Sequence, residues 1–158
     1  MTELSLQLSD EPATMALGEA LAAAAQPPLV IYLSGELGAG KTTLVRALAR
    51  AHGYPGPVRS PSYTLLETYP LLPGLTLVHL DLYRLTDPEE LELLGLREEL
   101  GSDVLCLVEW PERGVGHLPA ADLDISLQHS GSGRRALLAA ASAAGRRCLT
   151  AISLPRAQ

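Results

Sequence analysis

The residues with the clearest chemical role form a glycine-rich segment in the first third of the chain. Its sequence, Gly35-Glu36-Leu37-Gly38-Ala39-Gly40-Lys41-Thr42, matches the pattern G-x-x-x-x-G-K-[ST]. Glycines let the backbone turn tightly, so that its N–H groups point at phosphate oxygens. Lys41 adds a mobile charge between the β- and γ-phosphates, and Thr42 offers a hydroxyl to Mg²⁺. The pattern predicts a phosphate-binding loop (P-loop) for a nucleoside triphosphate.

A P-loop needs a carboxylate to complete its Mg²⁺ site, and two acids end apolar segments. Asp81 follows Leu77-Val78-His79-Leu80, and Glu109 follows the apolar run 104–108. Strand alternation places His79, Asp81 and Tyr83 on one face. Either acid can be a structural ion-pair partner, because a carboxylate at the end of a buried strand needs one. The demand of the loop for a metal ligand nevertheless predicts that they are not both structural.

Four other sequence features each allow two interpretations, one functional and one structural. Ser60-Pro61-Ser62-Tyr63-Thr64 is either an ordinary turn or a switch segment whose hydroxyl senses the γ-phosphate. Arg84 either neutralises phosphate charge or pairs with an acid of the segment that follows it. His79 is either linked to the metal or a hydrogen-bonded structural group. Trp110, the only tryptophan, either caps a nucleotide pocket or packs in the core.

The positions of these residues require an ordered set of strands and helices. Strands are predicted at residues 4–8, 29–33, 64–69, 75–83, 104–109, 123–127, 136–140 and 149–154. For the alanine-rich segment 134–147, the sequence does not decide between strand and helix. Helices are predicted from a cap at Ser9 or Asp10 to about Ala25, from Lys41 to His52, and over 87–94 after a cap at Thr86 or Asp87. The run 29–33 is typical of a central strand. The two strands on either side of Pro73-Gly74 are predicted to form a hairpin.

Composition limits the protein classes to which the chain can belong. Its 158 residues predict one domain over residues 1–158, and 47% hydrophobic content excludes a disordered chain. The sequence contains no uncharged apolar run of about 18 residues, so no membrane span is predicted. With no basic, apolar start to suggest export, Cys106 and Cys148 are expected as reduced thiols in the cytoplasm. A net charge of −6 argues against a chain that binds nucleic acid without a partner. Lys41 is the only lysine among the twelve basic residues.

Taken in order, four segments resemble one bacterial family, the TsaE (YjeE) ATPases that assist threonylcarbamoyladenosine formation in tRNA. They are the P-loop through Thr43, Ser60–Thr64, His79-Leu80-Asp81-Leu82-Tyr83-Arg84-Leu85, and Val108-Glu109-Trp110-Pro111. The first segment is shared by many NTPases, whereas the ordered set is specific. Glu36 and Ser62 depart from residues common in the family, Asp and Thr respectively, and Ser62 keeps the hydroxyl.

The resemblance implies a fold, ligands and partners. The fold is an α/β single P-loop NTPase domain, with a mixed central sheet flanked by helices and antiparallel strands toward the C-terminus. The activity is ATP hydrolysis with Mg²⁺, weak in the isolated chain, within a complex with TsaD and TsaB that modifies an adenosine beside the anticodon. This chain then meets tRNA only indirectly, through the complex, and has no membrane partner.

Site residues carry over by position in the same way. The resemblance implies Lys41, Asp81 and Glu109 as catalytic residues and Thr42 and Glu109 as Mg²⁺ ligands. Which carboxylate orients the attacking water stays open. The expected nucleotide contacts are Thr14, Gly38, Ala39, Gly40, Lys41, Thr42, Thr43 and Trp110.

Two other P-loop classes compete with this interpretation. A small-molecule kinase needs lid arginines, for which Arg134-Arg135 and Arg146-Arg147 are the candidates, but their alanine-rich surroundings have no clear lid pattern. A GTP-dependent switch needs an Asn-Lys-x-Asp element, and this sequence contains no asparagine and no second lysine. A binding module that never hydrolyses ATP also stays open.

Overall fold

Seven strands form one sheet in the computed structural model, which describes residues 2–154. The strands are β1 (Glu3–Leu8), β2 (Leu29–Ser34), β3 (Leu66–Leu71), β4 (Leu75–Asp81), β5 (Val104–Glu109), β6 (Leu123–Ser130) and β7 (Gly133–Ala140). Their order across the sheet is β1-β7-β6-β2-β5-β4-β3. The pairs β6–β2, β2–β5 and β5–β4 are parallel. The pairs β3–β4, β6–β7 and β1–β7 are antiparallel. The predicted α/β class, mixed sheet and antiparallel C-terminal strands are confirmed.

This strand order brings the chemical residues to one edge. β2 lies beside β5, and β5 lies beside β4, all three parallel. Glu109, at the end of β5, is in register with Leu33 of β2 on one side and with Asp81 of β4 on the other. Ligands of open α/β sheets bind beyond the carboxyl ends of such strands. The loop that follows β2 therefore faces both predicted carboxylates.

Within residues 2–154 there are five helices, α1 (Glu11–Ala24), α2 (Lys41–Ala51), α3 (Glu90–Leu93), α4 (Leu96–Glu99) and α5 (Ala143–Ala151), and a 3-10 turn covers Pro111–Gly114. Asp10 caps α1, since its Oδ1 accepts a hydrogen bond from Ala13 N at 2.9 Å. Gly18 of α1 lies against α2, where an added Cβ would meet Leu44 O and Ala47 Cβ at 2.7 Å. The small residue therefore lets the two helices approach closely. Within residues 2–154, no helix is long and apolar enough to cross a membrane.

Two hydrophobic cores cover the two faces of the sheet. Alternation along β5 sends Leu105 and Leu107 into the core that contains α1 and α2 residues, and Val104, Cys106 and Val108 into the other core. Burial raises the pKa of Cys106 to about 12, as expected for a thiol that serves as a small hydrophobic residue. On β4, Val78 and Leu80 join the second core, so His79 and Asp81 face the side that α2 covers.

Two predicted elements, the acidic helix 87–94 and the strand 149–154, differ from the structure. The acidic helix does not span 87–94: α3 begins at Glu90 after an i→i+3 turn from Asp87, and Gly95 at φ 74° separates it from α4. Neither Thr86 nor Asp87 is its cap, because the N-cap position is Glu89.

The predicted strand 149–154 is also wrong. Ser142 caps α5 by accepting a hydrogen bond from Gly145 N, so residues 143–151 are helical, and β1 occupies the place beside β7. The ambiguous segment 134–147 is strand up to Ala140 and helix from Ala143. The predicted hairpin is confirmed, with its first strand two residues later than expected and its second ending at Asp81. The one-domain expectation for residues 1–158 extends beyond the described residues and stays a prediction.

Candidate functional site

The glycine-rich loop ends β2 and begins α2, as its pattern predicts. Gly38 and Gly40 have φ values of +78° and +103°, a region that favours glycine. Gly40 is the N-cap of α2 and makes no side-chain capping bond. The first N–H groups of a helix have no acceptor within the helix, and the helix dipole is positive at this end. The loop therefore presents main-chain donors suited to an anion.

Lys41 is nearly buried, with 5% of its surface exposed. Its Nζ donates a hydrogen bond to Gly35 O at 2.6 Å and lies 4.1 Å from the centre of the Trp110 ring. Burial lowers the pKa of Lys41, and the negative charges of Glu109 and Asp81 oppose that shift. The ammonium is thus held over the loop by one carbonyl and one aromatic face, both of which it can exchange for phosphate oxygens.

One surface cleft, with a volume of about 310 Å³, gathers most of the predicted site residues. Its lining comprises Leu37, Gly38, Gly40, Lys41, Thr42, Thr43, Ser60, Ser62, Asp81, Tyr83, Glu109 and Trp110. The two acids are buried, with 4% and 2% of their surfaces exposed. The structure therefore brings the loop lysine, its threonines and both carboxylates into one cleft. Leu37 and Tyr83 also line the cleft, and the sequence had suggested neither as a site residue.

Asp81 is fixed from two sides. Its Oδ2 accepts a hydrogen bond from Ser60 Oγ, and its Oδ1 accepts one from Tyr83 N at 3.0 Å. Ser60 belongs to the segment predicted as either a turn or a switch, and residues 62–64 do form a turn. The hydroxyl of that segment thus contacts a carboxylate of the cleft, which supports its involvement in the site.

Glu109 has a different partner. His79 Nε2 lies 2.6 Å from Glu109 Oε2, and the histidine is fully buried. His79 Nδ1 is buried and has no hydrogen-bond partner within residues 2–154. A hydrogen on Nε2 fits both observations, because the carboxylate then accepts that hydrogen. Of the two interpretations of His79, the structure therefore favours a hydrogen-bonded group, one that holds a predicted metal ligand.

The opposite side of the loop borders a smaller cavity of about 170 Å³. Thr14 of α1 and Ala39 of the loop, both predicted nucleotide contacts, line this cavity rather than the main cleft. Thr14 lies under the loop, since a Cβ added to Gly40 would stand 3.5 Å from Thr14 Cγ2. Arg134 of β7 also lines the cavity and donates hydrogen bonds to Gly38 O and Ala39 O. No local sequence signal indicates this contact, because Arg134 reaches main-chain atoms of a distant segment.

The other arginines raised by the sequence have different surroundings. The guanidinium carbon of Arg84 lies 4.6 Å from the centre of the Tyr63 ring, and no carboxylate lies within 4 Å of its nitrogens in the described part of the chain. Of the two interpretations of Arg84, the structure does not support pairing with the acidic segment, where Arg97 pairs with Glu92 at 3.2 Å. Arg134 lies in a strand and Arg146-Arg147 in α5, so these candidates do not form a lid.

The donor set of the cleft fits a magnesium ion better than a metal held by protein alone. Among residues 2–154, no cluster of three or more His, Cys, Asp or Glu side chains is placed to hold a metal. Mg²⁺ commonly binds through one or two carboxylates together with substrate phosphates and water. Thr42, Asp81 and Glu109 line the same cleft as the anion-binding loop, so the residues present match that requirement.

Comparison with known proteins gives a consistent result. A family model described as "Threonylcarbamoyl adenosine biosynthesis protein TsaE" matches residues 8–137. A Haemophilus influenzae protein named "tRNA threonylcarbamoyladenosine biosynthesis protein TsaE" is 44% identical over 125 residues, covering 79% of this chain and 78% of the relative. A Bacillus subtilis protein of the same name is 36% identical over 137 residues, covering 85% and 84%. The crystal structure of Bacillus subtilis YdiB superposes with a TM-score of 0.79 at 30% identity and covers 96% of this chain and 95% of that one.

Proposed function

Because the chain belongs to the TsaE family and takes part in tRNA threonylcarbamoyladenosine biosynthesis, we propose that it serves this modification as an Mg²⁺-dependent ATPase. The observation that carries the proposal is the meeting of Lys41, Asp81 and Glu109 with the anion-binding loop in one cleft. A simple phosphate-binding loop would not need two buried carboxylates beside it. Slow hydrolysis by the isolated chain is expected, because P-loop enzymes often reach full activity only when a partner completes the site.

In the proposed reaction, the main-chain N–H groups at the start of α2 bind the phosphates. Lys41 leaves Gly35 O and the Trp110 ring and places its ammonium against the β- and γ-phosphates. Thr42 and Glu109 would hold Mg²⁺, which would supply charge neutralisation at the phosphate oxygens. Catalysis then consists of positioning and of stabilising negative charge.

The two carboxylates have different surroundings, and this suggests different roles. Glu109 receives the hydrogen bond from His79 at Oε2, which leaves Oε1 available to a metal. Asp81 lines the same cleft and is oriented by hydrogen bonds from Ser60 Oγ and Tyr83 N. We propose that Asp81 orients the attacking water and that Glu109 would be the carboxylate ligand of Mg²⁺.

We further propose TsaD and TsaB as the partners and the cytoplasm as the compartment, since tRNA modification requires ATP and tRNA together. These partners carry out the transfer to tRNA, while ATP binding and hydrolysis by this chain regulate or reset the complex. The net charge of −6 supports an indirect contact with tRNA, because the chain has no general excess of basic residues.

The decisive experiment reconstitutes modification from purified TsaD, TsaB, unmodified tRNA and ATP, with and without this chain. Modification should depend on the wild-type chain and be lost with Lys41→Ala. Lys41→Arg should also be impaired, because a planar guanidinium does not replace a compact ammonium in the loop. Arg135→Gln is a suitable control, since Arg135 is exposed and bonds Ser5 Oγ away from the cleft. Wild-type ATP turnover by Lys41→Ala would refute the proposed site, and modification that proceeds without the chain would refute the proposed role.

A further inference from the structure

Arg134 lies on β7 and hydrogen-bonds to main-chain carbonyls of the P-loop, which is more than ninety residues earlier in the chain. Its Nη2 donates a hydrogen bond to Gly38 O at 3.0 Å, and its Nε donates one to Ala39 O at 3.2 Å. Its Nη1 donates to Gly133 O at 2.8 Å, within β7 itself. The guanidinium thus joins two consecutive loop carbonyls to the turn end of the antiparallel hairpin formed by β6 and β7.

The contact with Ala39 O orients a phosphate-facing donor. In a trans peptide the carbonyl and the following N–H point in opposite directions. When Arg134 holds the carbonyl of Ala39 outward, the N–H of Gly40 points toward the opposite side, where the loop faces the cleft. The neighbouring peptide is held at both ends, because Arg134 binds Gly38 O and Ala39 N donates to Glu36 O at 3.1 Å.

An anchor outside the loop matters because the loop glycines do not themselves favour one backbone conformation. Glycine populates positive φ about as readily as negative φ, so Gly38 and Gly40 confer freedom and not a preference. A planar guanidinium can donate to two adjacent carbonyls in a fixed fork, which a single ammonium cannot do with the same geometry.

We propose that Arg134 is a positioning residue that orients the Ala39–Gly40 peptide for phosphate before the nucleotide arrives. This inference rests on the proposed function, since it assumes that the loop binds the phosphates of ATP. The adjacent Arg135 provides a matched comparison. It lies on the same strand and carries the same charge, but it is exposed and donates to Ser5 Oγ on β1.

The test compares Arg134→Gln, Arg134→Lys and Arg135→Gln with the wild-type chain. Calorimetric titration with Mg²⁺-ATP and Mg²⁺-ADP gives affinity, and amide hydrogen exchange over residues 36–43 of the nucleotide-free protein reports the loop. Arg134→Gln removes both guanidinium hydrogen bonds to the loop, so it should raise the Kd for both nucleotides about tenfold and should speed loop exchange. Arg134→Lys should behave like Arg134→Gln, and Arg135→Gln like the wild type.

Unchanged affinity and unchanged loop exchange in Arg134→Gln would overturn the proposal. Full recovery of both in Arg134→Lys would overturn it too, because charge without the fork would then suffice. Thermal unfolding without nucleotide identifies a folding defect; if Arg134→Gln does not fold, Arg134→Lys decides the question. A folded wild-type chain that binds no ATP would refute the proposed function itself, an outcome distinct from normal ATP binding by the Arg134 variants.

Discussion

His79 Nε2 lies 2.6 Å from Glu109 Oε2 and joins β4 to β5 beneath the cleft. Both side chains are almost entirely buried, so water cannot replace this hydrogen bond. The histidine is two residues before Asp81 on the same strand and faces the same side of the sheet. One strand therefore supplies both a carboxylate of the cleft and the group that orients the carboxylate on its neighbour.

Removing the His79 hydrogen bond should loosen Glu109 and weaken metal binding. His79→Leu leaves Glu109 Oε2 without its partner, so we expect the free energy of unfolding to fall by about 1–3 kcal/mol. The Mg²⁺ concentration for half-maximal ATP hydrolysis should rise about tenfold, as is typical when a group behind a metal ligand is lost. Mg²⁺ titration of ATP hydrolysis and urea unfolding measure the two effects.

His79→Gln keeps a side-chain N–H donor and should recover part of the Mg²⁺ affinity. His129→Gln controls for loss of a histidine, because His129 is exposed on β6. An unchanged Mg²⁺ requirement in folded His79→Leu would show that the contact stabilises the fold only.

Ser60 should affect turnover more than nucleotide binding. Its hydroxyl donates to Asp81 and not to the P-loop, so Ser60→Ala removes one of the two hydrogen bonds that orient this carboxylate. We expect kcat for ATP hydrolysis to fall about tenfold, with little change in KM. Steady-state kinetics at saturating Mg²⁺ measures both constants.

Thr64→Ala is the matched control for Ser60→Ala. Thr64 lies in the same segment, but its Oγ1 donates to Glu67 Oε1 at 3.1 Å on the exposed surface. A large increase in KM for Ser60→Ala with unchanged kcat would contradict a role through Asp81 and indicate direct contact with the nucleotide.

The sequence predicted those parts of the site that local patterns encode. The P-loop and the ends of β4 and β5 follow from short apolar runs and one motif, and parallel pairing then brings Asp81 beside Glu109. Alternation assigned His79 to the correct face, yet it could not identify Glu109 as the partner. That pairing depends on which strands are neighbours in the sheet.

Other features depend on contacts that leave no local pattern. Arg134 binds main-chain carbonyls, and every residue type carries a carbonyl, so no spacing of side chains marks the interaction. The segment 149–154 alternates enough to suggest a strand, but the Ser142 cap begins a helix before it. In the structure β1 pairs with β7 along the edge where a further strand would have had to pair.

Trp110 should report nucleotide binding directly. It is the only tryptophan, and the Lys41 ammonium lies 4.1 Å from the centre of its ring. If Lys41 moves to the phosphates, the charge leaves the ring, and the emission of Trp110 should change on addition of Mg²⁺-ATP. Fluorescence titration measures the change and its midpoint.

The matched variant for the fluorescence measurement is Lys41→Ala. Its nucleotide-free emission should already differ from that of the wild type, because the ammonium is absent. Addition of Mg²⁺-ATP should then produce no saturable response. A full response in Lys41→Ala would mean that the fluorescence change does not arise from displacement of the lysine.

Gly18 should be intolerant of a side chain, because the distance between α1 and α2 depends on it. An alanine Cβ at this position would lie 2.7 Å from both Leu44 O and Ala47 Cβ, closer than such atoms approach in proteins. We expect Gly18→Ala to lower the free energy of unfolding by about 1–3 kcal/mol, the usual cost of overpacking. The separation of α1 from α2 should also move Thr14 away from Gly40 and weaken nucleotide binding. Urea unfolding and calorimetric titration test the two effects, with Gly101→Ala as control because its nearest neighbour is 3.4 Å away. Wild-type stability in Gly18→Ala would show that α1 and α2 can separate without cost and that Gly18 does not set their distance.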